Sequence, residues 1–276
     1  GRGVVTAAGE RGLVTLDAVT DAGFGARARV GLVVLENDQT VEAELSGLWP
    51  DGVAAFATRI PMEDRVTPAT LRAMETRIPE AASLLPPTLG LDVLGYGCTS
   101  ASTLIGEARV SDALRITHPD LPNTNPISAV LAALSALSAR RVAVVTPYSA
   151  EVTAGIINLL SDRGLKVVAA GSFLEESDAT VARITEEAVA NGVRRMVAEA
   201  ESTDGGRPDA VFVSCTSLRA FGVAGWLEDE LGVPVVSSNL AFGWHLLRLA
   251  GIDDAVDGLG SLYGLGLDGA AVGEQS

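Results

Sequence analysis

Asp92-Val-Leu-Gly-Tyr-Gly-Cys98-Thr-Ser100 and Asp209-Ala-Val-Phe-Val-Ser-Cys215-Thr-Ser217 are near-copies of one phrase, and between them they hold both cysteines of the chain. In each, an Asp opens an apolar run, the thiol follows at the same distance, and a Cys-Thr-Ser triplet closes the run at the start of a candidate helix. Short apolar runs that end in small polar residues read as buried strands followed by turns. Duplicated scaffolding needs the strand pattern twice, but it does not need a thiol at the same point in each copy. The repeat therefore points to a duplicated active-site element, with two thiols facing each other across one cleft.

Working outward, short β-branched runs alternate with longer amphipathic segments, the pattern of parallel strands joined by helices. The expected strands are Val30 to Leu35, Val53 to Thr58, Val93 to Gly97, Val142 to Thr146, Val167 to Gly171, Ala210 to Ser214 and Val235 to Ser238. Apolar spacings of three and four predict one amphipathic helix from Thr180 to Ala200. Arg29-Val-Gly-Leu-Val-Val resembles Arg141-Val-Ala-Val-Val-Thr, at nearly the separation that parts the two cysteines. The fold class is thus α/β, with two pseudo-symmetric doubly wound parallel-sheet domains and the active site in the cleft between them. Residues 28–125 would form the first domain and 126–236 the second. Residues 237–276, with a helix over Leu240 to Leu249, would cross back to the first domain. Residues 1–27 read as an N-terminal arm, suited to a partner subunit of a homo-oligomer.

The chain of 276 residues carries 20 basic and 35 acidic residues, a formal charge of −15. Such a field repels polyanions, which argues against nucleic acid as a partner. A metabolite carboxylate must then be held by local devices such as helix N-termini and hydroxyls. No apolar stretch approaches the roughly 20 residues of a membrane span, and the first residues lack the layout of a secretory signal. The expectation is a cytoplasmic protein with no membrane partner. One structural disulfide is the competing use of two cysteines, and it is uncommon in reducing compartments. Neither cysteine has the nearby Cys or His of a zinc site, and no glycine-rich nucleotide loop occurs. The chemistry is expected to proceed without metal or cofactor.

Ligands of open parallel sheets collect at the carboxyl ends of the strands, where helices aim their free N–H groups. Both triplets fall there. A thiol at a helix N-terminus is expected to have its pKa lowered from about 8.5 toward neutrality, making it a base or nucleophile. Thr99, Ser100, Thr216 and Ser217 sit where they either cap helices or hold a substrate carboxylate. His118 and His245 fit no Cys–His hydrolase pattern and read as structural.

At this point the residues resemble the aspartate/glutamate racemase superfamily and, within it, the maleate cis–trans isomerase and arylmalonate decarboxylase branch. The motifs are Gly31-Leu-Val-Val with Thr40-Val-Glu42, Gly97-Cys98-Thr99-Ser100, Val145-Thr-Pro147-Tyr148, Pro208-Asp-Ala-Val-Phe-Val-Ser-Cys215-Thr, and Pro234-Val-Val-Ser-Ser-Asn239. Within the branch the chain is similar to the maleate-isomerase-like proteins associated with ectoine utilisation. The resemblance implies two pseudo-symmetric α/β domains and no coenzyme. It makes Cys98 the nucleophile or base on one face of the substrate, Cys215 the acid/base on the other, and Tyr148 a substrate hydrogen-bonding group. Two cysteines argue against an arylmalonate-type decarboxylase, which keeps the second alone, and favour racemisation or cis–trans isomerisation.

Two positions depart from the maleate-isomerase pattern. Asp38 stands where an Asn is expected, with Asn37 one position away, and Asp178 stands at a second expected Asn. An amide donates to a carboxylate, whereas an ionised Asp repels it and accepts an ammonium. The implied substrate is a small carboxylate or an amino-acid derivative. The alternative role for one Asp is helix capping. Two other readings of the chain stand beside the isomerase: a catalytically idle two-lobed metabolite-binding protein, and a dithiol redox protein, which needs Cα atoms within about 7 Å.

Overall fold

The computed structural model describes residues 14–203 and 205–272. Of the expected N-terminal arm, residues 1–13 lie outside the described residues, while 14–27 carry no helix or strand and are mostly exposed. The first half contains β1 (Ala28–Leu35), α1 (Val41–Leu45), β2 (Val53–Ile60), α2 (Pro68–Arg72), α3 (Ile78–Ser83), β3 (Val93–Gly97), α4 (Thr99–Ile105), α5 (Glu107–Arg115) and β4 (Asn123–Thr124). There follow α6 (Pro126–Ala136), β5 (Arg141–Thr146), α7 (Ala150–Asp162), β6 (Lys166–Ser172), α8 (Asp178–Val181), α9 (Glu186–Thr203), β7 (Ala210–Val213), α10 (Phe221–Leu231), β8 (Val235–Ser237) and α11 (Ser238–Leu249).

Two parallel four-stranded sheets result, ordered β2-β1-β3-β4 and β6-β5-β7-β8. The winding is the same in both, so β3 and β7, the strands of the two cysteine phrases, occupy equivalent places. Their β-branched and aromatic residues are buried throughout, as expected of strands covered on both faces. The duplicated Asp of each phrase has a matching structural task. Asp92 accepts the N–H of Arg29 at 2.8 Å, and Asp209 accepts those of Arg140 and Arg141 at 2.8 Å. Each carboxylate thereby holds the start of the neighbouring strand through its backbone N–H groups.

All seven expected strands form, and β4 is an addition. Its two residues pair only with Leu94 and Gly95, a length too short to show a period. The single helix expected from Thr180 to Ala200 is instead two, α8 and α9. Thr185 accepts the N–H of Ala188, giving α9 its own start. Arg219 donates to the carbonyls of Arg183 and Ile184 at the break. Periodicity survives in the buried residues Val189, Val193, Met196 and Val197, but the break is made by side-chain hydrogen bonds that no period encodes.

Helix α11 packs on β3 and on α6. The approach is close: a Cβ on Gly95 would lie 2.5 Å from Cζ of Phe242, so only glycine fits there. Phe242 and Trp244 are fully buried, each burial contributing about 2–3 kcal/mol. The following tail is pinned by Arg248, whose guanidinium donates to the carbonyls of Ile252, Asp254, Tyr263 and Leu265. Among the described residues, no helix is long and apolar enough to cross a membrane.

Candidate active site

Strand β3 delivers Cys98 to the start of α4, where it is the N-cap residue. Its Sγ accepts the N–H of Ala101 at 3.4 Å and lies 3.7 Å from the Ser100 hydroxyl. Both cysteines are free and buried, so the disulfide alternative is not realised.

The second triplet is built differently from the expectation. After β7 the chain makes a turn, and α10 starts only at Phe221, so Cys215 does not cap a helix. Cys215 instead adopts φ +118°, a conformation costly for a residue with a Cβ. It is held there by its own N–H, which donates to the Ser238 hydroxyl at 3.0 Å. Its Sγ accepts the N–H of Ser217 at 3.4 Å. The Tyr148 hydroxyl lies 3.3 Å from Ser214 Oγ.

The two triplets are joined through one hydroxyl. Thr99 donates to Ser238 Oγ at 2.8 Å, the atom that also receives the Cys215 N–H. Thr216 donates to Asp38 Oδ2 at 2.7 Å, and Ser217 donates to Asp178 Oδ1 at 2.7 Å. Every predicted site residue therefore belongs to one connected cluster. Thr99, Thr216 and Ser217 spend their hydroxyls on protein partners, however, and not on an open carboxylate site.

The two acids differ in their surroundings. Asp38 takes Thr40 N–H and Val41 N–H on Oδ1, each at 2.8 Å, and Thr216 on Oδ2. Both its oxygens are in use, Oδ1 on two N–H groups at the start of α1, whose N-cap residue is Thr40. Asn37 is only half-buried and donates to Asp64. Asp178, 5% exposed, begins α8 and keeps Oδ2 without a partner.

Burial dominates the electrostatics and reverses the expected thiol activation. It pushes Cys98 up to about 11 and Cys215 higher still. At Cys98 the Ala101 N–H and Ser100 oppose burial, and the carboxylates of Asp178 and Asp38 add a smaller rise; at Cys215 the Asp178 carboxylate is second to burial, ahead of the lowering from Ser217 N–H and Tyr148. One N–H bond and a short helix do not offset the desolvation of a thiolate. Burial also lifts Asp178 to about 6, with Ser217 opposing and Asp38 assisting, and raises Asp38 above the usual carboxylate range.

Glu36, Asn37, Asp38, Gln39, Arg59 and Asp178 line a cleft of ≈ 630 Å³. Neither thiol reaches its wall. Asp38 and Asp178 thus belong to both places, lining the cleft and acting on the thiols. Among the described residues no group of His, Cys, Asp and Glu is placed to hold a metal ion. His118 lies 3.3 Å from the Ala82 carbonyl, and His245, lowered to about 4 by burial, lies 2.7 Å from Thr124 Oγ1; both are structural.

Sequence reasoning quoted Thr40, Ser238 and Asn239 within motifs but gave them no place in the site, and it missed Glu44. Thr40 donates to the Ser217 carbonyl at 2.8 Å. Glu44 accepts the N–H groups of Ala220 and Phe221 and the amide of Asn239, which also donates to the Thr216 carbonyl. Helix α1 and the start of α11 thereby clamp the Cys215 turn. The signals were the Thr40-Val-Glu42 motif and Ser238-Asn239 directly after β8, the place where sheet ligands and caps collect.

Comparison with known proteins gives the family and the fold. A maleate isomerase of Nocardia farcinica is 30% identical over 251 residues, 85% of this chain and 94% of that protein. The arylmalonate decarboxylase of Bordetella bronchiseptica is 29% identical over 225 residues, 80% of this chain and 90% of that protein. A cysteine-to-serine variant of the Nocardia farcinica maleate cis–trans isomerase, solved with a covalently bound succinylcysteine intermediate, superimposes with a TM-score of 0.76 at 26% identity, covering 86% of this chain and 98% of that one. Unliganded arylmalonate decarboxylase gives a TM-score of 0.72 at 28% identity, covering 86% of this chain and 98% of that one. The family model described as arylmalonate decarboxylase matches residues 30–263, and the chain belongs to that family.

Proposed function

We propose that this enzyme is an isomerase of small carboxylates that uses two cysteines and no coenzyme. The observation that carries the reading is the matched placement of Cys98 and Cys215. They follow equivalent strands of two identically wound sheets, each Sγ accepts a backbone N–H at 3.4 Å, and Ser238 bridges their triplets. The covalent succinylcysteine of the Nocardia farcinica relative supports a direct role for a thiol.

Two steps suit such a pair. In racemisation one thiolate takes the proton from the carbon beside the carboxylate while the opposite thiol returns one to the other face. In cis–trans isomerisation a thiolate adds to one alkene carbon. The C–S bond forms as the π bond opens, the electron pair rests beside the carboxylate, rotation follows, and C–S cleavage restores the double bond. Tyr148, beside Ser214 and near enough to both thiols for each to raise its pKa, would steady the charge at either one. With Cys98 at about 11, forming its thiolate at pH 7 costs about 5 kcal/mol, which the binding of substrate must offset.

A catalytically idle binding protein would share the two lobes but has no use for paired thiols. Incubation in D2O with small carboxylates and amino acids, followed by NMR, separates the two. Deuterium entry at the carbon beside the carboxylate, or isomerised double bonds, supports the isomerase; binding with neither would sink it.

A further inference from the structure

Among the described residues, Asp178 Oδ2 is the one carboxylate oxygen buried without a hydrogen-bond partner. Its other oxygen is fixed by Ser217 at 2.7 Å, so the side chain is held in place and cannot turn to satisfy both. Asp178 also lines the cleft. A buried polar atom left open in this way calls for a donor. Nothing around it supplies one. Asp38 faces it from the loop after β1 with both oxygens occupied, and neither thiol hydrogen-bonds to it. Arg59, the cation in the cleft wall, directs its guanidinium to the carbonyls of Leu35, Glu36 and Asp38 and to Glu42. The wall also carries four acids, Glu36, Asp38, Asp64 and Asp178, among uncharged residues.

We propose that Asp178 selects a substrate that carries an ammonium group beside its carboxylate, with Oδ2 accepting an N–H of that ammonium, in preference to a dicarboxylate dianion. The assignment rests on the isomerase reading and narrows its substrate class to amino-acid-type zwitterions. A second carboxylate brought against Asp178 would meet like charge at low dielectric, whereas an ammonium forms a charge-assisted hydrogen bond. The raised position of Asp178, about 6, gives the two cases opposite signs. An ammonium favours the ionised acid and expels its proton, while a dianion favours the neutral acid and draws a proton in.

The test is calorimetric binding of matched pairs: D- and L-aspartate against succinate, and D- and L-alanine against propionate. In at least one pair the ammonium-bearing member is expected to bind about tenfold or more tightly at pH 7. At pH 6, titrations in buffers of different ionisation heat should show proton release on binding. Asp178→Asn, which keeps an oxygen for Ser217, should remove both the preference and the release; a melting curve checks its fold, and the wild-type proton count needs no variant. Equal or tighter binding of succinate or propionate, proton uptake, a preference that survives Asp178→Asn, or no binding by any member would each overturn the proposal. Deuterium exchange is read separately. A bound amino acid that never exchanges would defeat the isomerase reading and leave the ligand preference standing.

Discussion

Thr216 donates its hydroxyl to Oδ2 of Asp38 at 2.7 Å, tying the turn that carries Cys215 to the loop that follows β1. Because Oδ1 is taken by two backbone N–H groups at the start of α1, Asp38 is an anchor between the sheets. Asp38→Ala removes all three acceptances and is expected to destabilise the fold by about 2–4 kcal/mol. Asp38→Asn keeps the Oδ1 bonds and should cost about 1 kcal/mol. Urea denaturation measures both. A neutral effect of Asp38→Ala would mean the anchor is not formed in solution.

Glu44 reaches from α1 to the first turn of α10 and to Asn239, and Asn239 holds the Thr216 carbonyl. Glu44→Ala should therefore lower kcat more than it raises KM, by loosening the Cys215 turn at a distance. Glu44→Gln retains an acceptor and should recover part of the loss. A variant that changes stability alone, with kcat intact, would restrict Glu44 to holding the helix.

Cys98→Ser and Cys215→Ser should each abolish turnover with the fold retained, since a hydroxyl is nearly isosteric but far less acidic. Alkylation reports the thiols directly. With burial holding Cys98 near 11 and Cys215 higher, iodoacetamide at pH 7 should label both more slowly than free cysteine, Cys98 ahead of Cys215, and faster as pH rises. Rapid labelling at neutral pH, read by peptide mass mapping, would contradict the buried, protonated site.

Asp178 links the site to stability. Its folded pKa of about 6 lies above the 3.8 of a freely solvated aspartate, so the folded protein binds this proton more tightly than the unfolded chain. The penalty is fully present above about pH 6 and disappears below about pH 4. Two units correspond to about 3 kcal/mol. Asp178→Asn should consequently stabilise the protein at pH 7 by up to that amount, with the gain shrinking as pH falls to 4. Denaturation midpoints at both pH values check it, and an equal effect at the two would refute the linkage.

The sequence by itself determined the strands, the duplication and the pair of thiols. These are local: β-branched runs such as Arg141–Thr146 encode strands wherever they occur, and the repeated Asp and Cys sit at fixed offsets within a single strand and its end. The sequence could also place Asp178 and Tyr148 near the site through strand ends and motif resemblance. What the tertiary structure alone decided was the state of those groups. The acidity of Cys98 depends on how completely the surroundings exclude water. The tie of Asp38 Oδ2 across to the Cys215 turn depends on Thr216, which lies far along the chain, and the open oxygen of Asp178 depends on the absence of a donor beside it. The break between α8 and α9 and the strained backbone of Cys215 follow from Arg219 and Ser238, partners brought in by other elements. Charge, desolvation and hydrogen-bond satisfaction are set by neighbours in space, and a linear pattern carries no record of which neighbours those are.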